Sequence, residues 1–315
     1  MSTYSPTHST TNWLTLFWEA HSDSLLRVRP TPTVIRTLYG LSEFRAQQVY
    51  TLTNFMASQG AAPSAPKTRS HMVIGDSHAK PDQSLARYVW LGRMAAELRP
   101  DVIVNIGDWG DMPSLSSYDK GKRAFEGRRY VKDIEAANNA LDLFHDQLPV
   151  GYVPRLIAVI GNHEARILKA VNDSAEFEGL IGLGDIRFAE HGWETVDFLQ
   201  PITVDGITYC HYFTSGNSPM PISGENAARN LINKKLTSCV VGHSHLLSYA
   251  RAVGADAKVY HGLVAGAYTE ERESYAGQSN DSWWKGVAML ANVHEGDYDL
   301  QVYRMDTIKK RWSNP

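Results

Sequence analysis

Residues 240–249, VVGHSHLLSY, run from an apolar pair through Gly242 into two histidines, His243 and His245, with one serine between them. A turn at the mouth of a strand more often takes Asn, Asp or Ser. The arrangement recurs along the chain: HMVIGDSH ends on Asp76 and His78, DVIVNIGDWGD on Asp108 and Asp111, RLIAVIGNHE on Asn162 and His163, and ITYCH on His211. The side chains that can ligate comprise two carboxylates (Asp76, Asp108), one amide oxygen (Asn162) and four imidazoles (His78, His211, His243, His245), seven donors in all. A zinc ion ordinarily takes three or four protein ligands, so seven donors fit two ions that share one carboxylate. Mixed nitrogen and oxygen ligation suits manganese first, with iron, zinc or nickel as alternatives, better than an all-oxygen magnesium site. Two such ions, roughly 3.5 to 4 Å apart, clamp the attacking and leaving oxygens of an in-line displacement and turn a bridging water into hydroxide at neutral pH. That chemistry is phosphoester hydrolysis.

Two more residues suit the reaction rather than the ligation. His163 follows Asn162 and is expected to face the substrate, where an imidazolium stabilises phosphoryl oxygens or protonates the leaving alkoxide. Asp111, three residues after Asp108, is expected to fix the tautomer and charge of His163. The i, i+2 spacing of Asp76 with His78, and of His243 with His245, predicts that each pair points to one side of an extended segment and can address the same ion or neighbouring ions. Singly, Asp76 or Asn162 reads as a turn or helix cap and His211 as a partly buried strand residue. Five strand ends in order favour the shared site. His71, His145, His191, His261 and His294 lie outside the pattern and read as packing or surface residues.

The elements that must position these residues alternate between strand and helix. HMVIGD (71–76) is an apolar run, residues 83–99 repeat Leu85, Tyr88, Val89, Gly92, Ala95 and Leu98 at helical spacing, and DVIVNIGD (101–108) is a second apolar run. That order predicts a βαβ unit with a parallel pair. The cycle repeats through 131–148 and 155–162. After about residue 193 the texture becomes hairpins, with an Asp205-Gly206 turn in PITVDGITYCH. The expected fold is α/β, two mixed sheets face to face with helices outside. Strand ends of such sheets are where ligands collect.

Residues 58–70, SQGAAPSAPKTRS, read as a linker. The expected organisation is an N-terminal helical segment and linker over 1–66, then one large domain over 67–315. Within the first, Val34, Ile35 and Leu38, then Phe44, Val49, Leu52 and Phe55, suggest two short amphipathic helices around Gly40, a plain hairpin or a helix-turn-helix.

The 315 residues carry a formal net charge of −3, without the strong basic field of a nonspecific nucleic-acid binder. Two cysteines, Cys210 and Cys239, read as reduced thiols in a cytosol, and no apolar run approaches membrane-spanning length. The oligomeric state is not readable.

The ordered series GDSH, GDWGD, GNHE, YCHYF and GHSH, over residues 75–245, resembles the calcineurin-like metallophosphoesterase superfamily. The resemblance implies a four-layer α/β/β/α sandwich. It also implies one metal on Asp76, His78, Asp108 and His245, a second on Asp108, Asn162, His211 and His243, and His163 near the leaving group, oriented by Asp111. The segment DMPSLSSYDKGKRAFEGRRY (111–130) further resembles a branch encoded by tailed bacteriophages, which implies a host cytoplasm. Met112 and Pro113 stand where the protein-phosphatase branch continues with Arg-Gly, and Tyr212 follows His211 where Gly is expected; both argue against a protein phosphatase.

Between two of the strand ends, KGKRAFEGRRYVK holds Lys122, Arg123, Arg128 and Arg129, either a clamp for a polyanion or a solvated basic loop. Trp283 and Trp284 read as packing residues, with base stacking as the alternative. Glu270, Glu271 and Glu273 lie in a loop long enough to act as a lid, and their charge would repel nucleic acid. The expected activity is hydrolysis of phosphodiesters, with DNA or RNA as substrate. A small nucleotide, a cyclic dinucleotide or a phosphomonoester is the alternative substrate, and a non-catalytic scaffold the alternative class.

Overall fold

The computed structural model describes residues 13–58 and 68–314; residues 59–67, most of the expected linker, lie outside the described part. The chain divides into two units, Met1–Lys67 and Thr68–Pro315.

The first unit holds α1 (Trp13–Val28), α2 (Pro32–Tyr39) and α3 (Glu43–Ser58). Thr31 caps α2, its hydroxyl accepting from the N–H of Val34, Pro32 occupies the first turn, and Gly40 closes the helix in the left-handed conformation (φ 62°). The packed face is narrower than the apolar pattern implies: Ile35 and Val49 are buried with Leu25 and Ala46, while Val34, Leu38, Phe44 and Phe55 are exposed.

In the second unit β1 (Arg69–Ile74), α4 (Ala86–Leu98), β2 (Val102–Asn105), α5 (Tyr130–His145), β3 (Arg155–Val159), α6 (Ala165–Asp173) and β4 (Trp193–Val196) follow in turn. There follow β5 (Ile202–Val204), β6 (Ile207–Tyr209), α7 (Ala227–Lys235), β7 (Ser238–Val241), β8 (Leu247–Val253), β9 (Val259–Ala265), β10 (Gly286–His294), β11 (Asp297–Arg304) and α8 (Met305–Trp312). One sheet has the order β11-β10-β1-β2-β3-β4 and the other β5-β6-β7-β9-β8. The strands β1 to β4 are parallel, as the strand-helix alternation predicts, with β10 and β11 added antiparallel at one edge. The β5–β6 hairpin turns at Asp205 and Gly206, both with positive φ (50° and 84°), a type I′ turn that matches strand twist.

Three apolar layers set the architecture. Val73, Val104, Ile157, Ile207, Val240 and Leu263 form a core between the sheets, because both faces of these short strands are apolar. Tyr88, Leu91 and Met94 of α4, Leu141 and Phe144 of α5 and Ile308 of α8 pack on the outer face of the first sheet, and Ala227 and Leu231 of α7 pack near Val241 and Val264 of the second. The result is the four-layer α/β/β/α sandwich. Among the described residues no helix is long and apolar enough to cross a membrane.

Candidate metal centre

Asp76, Asp108, His163, His211, His243 and His245 stand just past the ends of β1, β2, β3, β6 and β7; parallel pairing aligns the ends within each sheet, and the packing of the two sheets brings the two sets together. The backbone there is not extended. His78, Asp108, His243 and His245 all have positive φ, between 47° and 70°. Neither i, i+2 pair is therefore simply extended, since alternation holds only along a strand: Asp76 and His78 share one group, and the left-handed turns send His243 and His245 to neighbouring groups, as the resemblance implies. Close packing holds the turns. A Cβ on Gly161 would collide with Asp108 Oδ1, and one on Gly242 with Asp76 Oδ1.

Two groups result. In the first, buried Asp76, His78 and His245 converge, with His245 Nε2 at 3.1 Å from both Asp76 Oδ2 and His78 Nε2. In the second, Asp108, His211 and His243 converge, and Asn162 Oδ1 lies 2.8 Å from His211 Nε2 and 2.8 Å from His243 Nδ1. The structure thus gathers all seven expected donors.

The chemistry of these atoms tests whether a cation fits. His211 Nδ1 bonds to the carbonyl of Ile106 at 2.9 Å, so in a neutral ring Nε2 turns a lone pair toward Asn162 Oδ1 and toward Asp108 Oδ2 at 3.4 Å. Three lone-pair atoms facing one another need a positive charge between them. In the first group His245 Nε2 faces a carboxylate oxygen and a second imidazole nitrogen, and buried Asp76 Oδ2 makes no hydrogen bond of good geometry. Both groups have the donor set of a divalent-ion site.

Electrostatics point the same way. Burial pushes the Asp76 carboxyl up, but His245 and His211 outweigh it and hold the group below its ordinary value. Burial likewise opposes ionisation of Asp108, and His211 and His163 hold it well below. Burial also pulls His211 down, yet Asp108 raises it to about 9. Burial lowers His78 and His243. The carboxylates are ionised and attract whichever cation is offered, proton or metal.

His163 lies beside both groups. Its Nδ1 is 2.8 Å from Asp111 Oδ1 and 2.7 Å from the Asp111 carbonyl, and its Nε2 is 3.9 Å from Asp108 Oδ2. Burial lowers its pKa, but Asp108 and the bond to Asp111 prevail and the net direction is up. Asp111 also lies 3.4 Å from His78 Nδ1, so it touches two imidazoles rather than His163 alone.

Lys122 is exposed, 3.7 Å from Asp119, and Arg123 lies exposed in a short turn. Arg128 bonds to Asp119 Oδ2 at 2.7 Å and to the Pro113 carbonyl at 3.1 Å, and Arg129 to the carbonyl of Arg128. None of these contacts involves the histidine cluster. Trp283 packs on His245, ring centroids 4.2 Å apart, and Tyr212 on His243 at 4.6 Å.

Three residues to which no motif assigns a role in the sequence also shape the site. Glu164, fully buried, accepts the backbone N–H groups of Asp108 (3.0 Å), Gly110 (2.8 Å) and Gly161 (2.9 Å), joining the turns after β2 and β3. Burial, then Asp108, raises its pKa to about 7. Arg166 donates to the Asp111 carbonyl and approaches His163 Nε2 at 3.1 Å. Arg87, buried, donates to the Ser77 carbonyl and so fixes the Asp76–His78 turn. An acidic residue three places after the strand-ending glycine was the available sign for Glu164.

A four-layer sandwich with paired His/Asp clusters at its strand ends defines a metal-dependent hydrolase scaffold. A model of the calcineurin-like phosphoesterase family matches residues 71–302. The chain belongs to that family, whose members are hydrolases of phosphoester bonds that normally bind two divalent metals. Comparison with curated proteins gives no significant match.

Proposed function

We propose that the chain is a phosphodiesterase whose substrate is DNA or RNA, with manganese as the leading metal. The observation that carries the reading is the convergence of Asp76, His78 and His245 in one group and Asp108, Asn162, His211 and His243 in another, with His163 beside both. Asp108, whose Oδ2 lies 3.4 Å from His211 Nε2, is the carboxylate that the resemblance would have the two ions share. When bound, two divalent ions supply the positive charge that the phosphoryl oxygens need and activate the attacking water.

The chain's own groups do the rest. Asp111 holds the His163 ring by Nδ1; Nε2, which accepts from Arg166 at 3.1 Å when the ring is neutral, gives up that bond to carry the proton that the departing ester oxygen requires. Arg166 fixes the Asp111 carbonyl and adds positive charge next to that ring. The exposed Lys122, Arg123 and Arg129 carry positive charge that a polyanion would attract.

A second reading, a small nucleotide or cyclic dinucleotide, has its own support. A cavity of about 450 Å³ lined by Glu270, Trp283, Trp284, Lys285 and Arg304 shares Trp283 with the His245 side of the centre. That volume suits a nucleoside. Metal-reconstituted protein assayed on chromogenic mono- and diesters, then on single-stranded DNA, plasmid and RNA, separates the readings. Turnover of monoesters alone rejects a phosphodiesterase, and turnover of small diesters without polymer cleavage selects the second reading. The Asp108→Asn variant keeps the shape but loses the charge, and is expected to lose turnover while its melting temperature is retained.

A further inference from the structure

Lys80 lies two residues beyond His78 and is nearly enclosed. Its ammonium bonds to Glu273 Oε1 at 2.6 Å and lies 3.8 Å from Asp111 Oδ2; the Lys80 and Glu273 side chains are 16% and 13% exposed. Asp111 in turn touches His163 and His78, so this lysine is the next charge outward from the metal centre. Glu273 comes from the segment after β9, far away in sequence. Asn280 folds that segment on itself: it accepts the Glu273 N–H at 2.9 Å and donates to the Glu273 and Gly277 carbonyls. The far end of the segment seats Trp283 on His245.

An ion pair this enclosed is a poor stabiliser, since desolvation of both charges offsets their attraction. It is, however, readily exchanged for another pair with the same cation. A phosphate oxygen has the charge and acceptor geometry of the carboxylate and adds further acceptors. We propose that Lys80 takes a second phosphate of the substrate, beside the bond that is cut, and that the Glu273 carboxylate keeps its place until that phosphate arrives. The inference rests on the phosphodiesterase reading and narrows it: the substrate carries at least two phosphates. It also changes the meaning of the acidic loop. Glu273 is neutralised by Lys80 and Glu270 by Lys309, 2.8 Å away, so the loop repels nucleic acid less than its composition implies.

The test compares kcat/KM of the manganese-loaded full chain on three probes: a thymidine dinucleotide with one phosphodiester, the same dinucleotide carrying a 5′-phosphate, and a thymidine trinucleotide. The wild type is expected to prefer the two-phosphate probes. Lys80→Gln is expected to cut that preference by about tenfold, the effect of losing one charge-assisted bond, whereas Lys80→Arg retains most of it. Loss with the 5′-phosphate probe alone assigns Lys80 to a terminal phosphate, and loss with the trinucleotide alone to an internal one. Glu273→Gln is expected to lower KM for the two-phosphate probes severalfold. If Lys80→Gln slows all three probes by one factor, or Glu273→Gln leaves KM for the two-phosphate probes unchanged, the inference is wrong although the phosphodiesterase reading stands. If the wild type cuts none of the probes nor bis(4-nitrophenyl) phosphate, that reading falls first.

Discussion

His243 and His245, separated by a single serine, serve different groups: His243 Nδ1 lies 2.8 Å from Asn162 Oδ1, and His245 Nε2 lies 3.1 Å from Asp76 Oδ2. Positive φ at both residues splays the rings apart. Their removal therefore has separable consequences. In the manganese-loaded protein, His243→Ala and His245→Ala are each expected to lower bound metal from two equivalents toward one, measured by elemental analysis after dialysis. Each is expected to cost more activity than the roughly 10- to 100-fold that loss of an outer partner costs. A variant that keeps two equivalents at wild-type affinity would show that its ring is not a ligand.

The Asp111–His163 contact of 2.8 Å leads to a pH prediction. A proton donor works below its pKa and fails above it, and Asp111 raises the pKa of His163. Asp111→Asn is expected to move the alkaline fall of kcat to lower pH, while His163→Ala costs about 10²- to 10⁴-fold in kcat. Profiles from pH 5 to 9 decide the matter: an alkaline limb that stays put in the Asp111 variant removes the proton-donor role.

Much of this arrangement is legible in the linear chain, and the illegible parts share a cause. Buried strands such as VIVN and SCVV read as apolar runs because parallel strands covered on both faces need no alternation. Each is followed, at once or after one residue, by a glycine and then a polar residue, which marks the edge where the donors meet. The direction of each side chain depends instead on local φ, and nothing in Gly-His-Ser-His announces two left-handed histidines. Lys80 and Glu273 were equally obscure, since their pairing spans 193 positions and has no motif. In the N-terminal unit Phe44 and Phe55 looked like core residues and are exposed, because apolar spacing alone does not tell which stripe of a short helix finds a partner.

Glu164 makes a stability prediction. Its two oxygens accept three backbone N–H groups in a fully buried setting. Glu164→Gln replaces one acceptor by an NH₂ group that confronts a donor, which costs about 1 to 3 kcal/mol for an unsatisfied buried group. The melting temperature should fall by roughly 2 to 12 °C, and metal affinity should weaken with it because Asp108 loses its anchor. Calorimetry with and without manganese measures both. A variant as stable as the wild type, with unchanged affinity, would mean that the carboxylate does not tie the β2 and β3 turns together.

His145, at the end of α5, makes acid sensitivity measurable away from the metal centre. Burial, then the charge of neighbouring His191, lowers its pKa from 6.5 to about 4. Trp193 Nε1 donates to His145 Nε2 at 2.7 Å, a bond that requires a lone pair and so a neutral ring. Above about pH 6.5 the ring is neutral in folded and unfolded chains alike, and its contribution to stability is complete. As pH falls toward 4 the unfolded chain takes up a proton that the folded chain refuses, so stability is lost through that window. The ring is partly exposed, and after discounting for solvent screening the loss is about 1 to 2 kcal/mol, or roughly 2 to 8 °C in melting temperature. His145→Leu removes the titrating group along with the bond from Trp193. Metal-free wild type and variant, melted at pH 7.5 and 5.0, should differ in how far acid lowers each transition: the wild type drops further, and effects common to both cancel. Equal drops would place the acid sensitivity elsewhere in the fold, despite the bond that Trp193 makes.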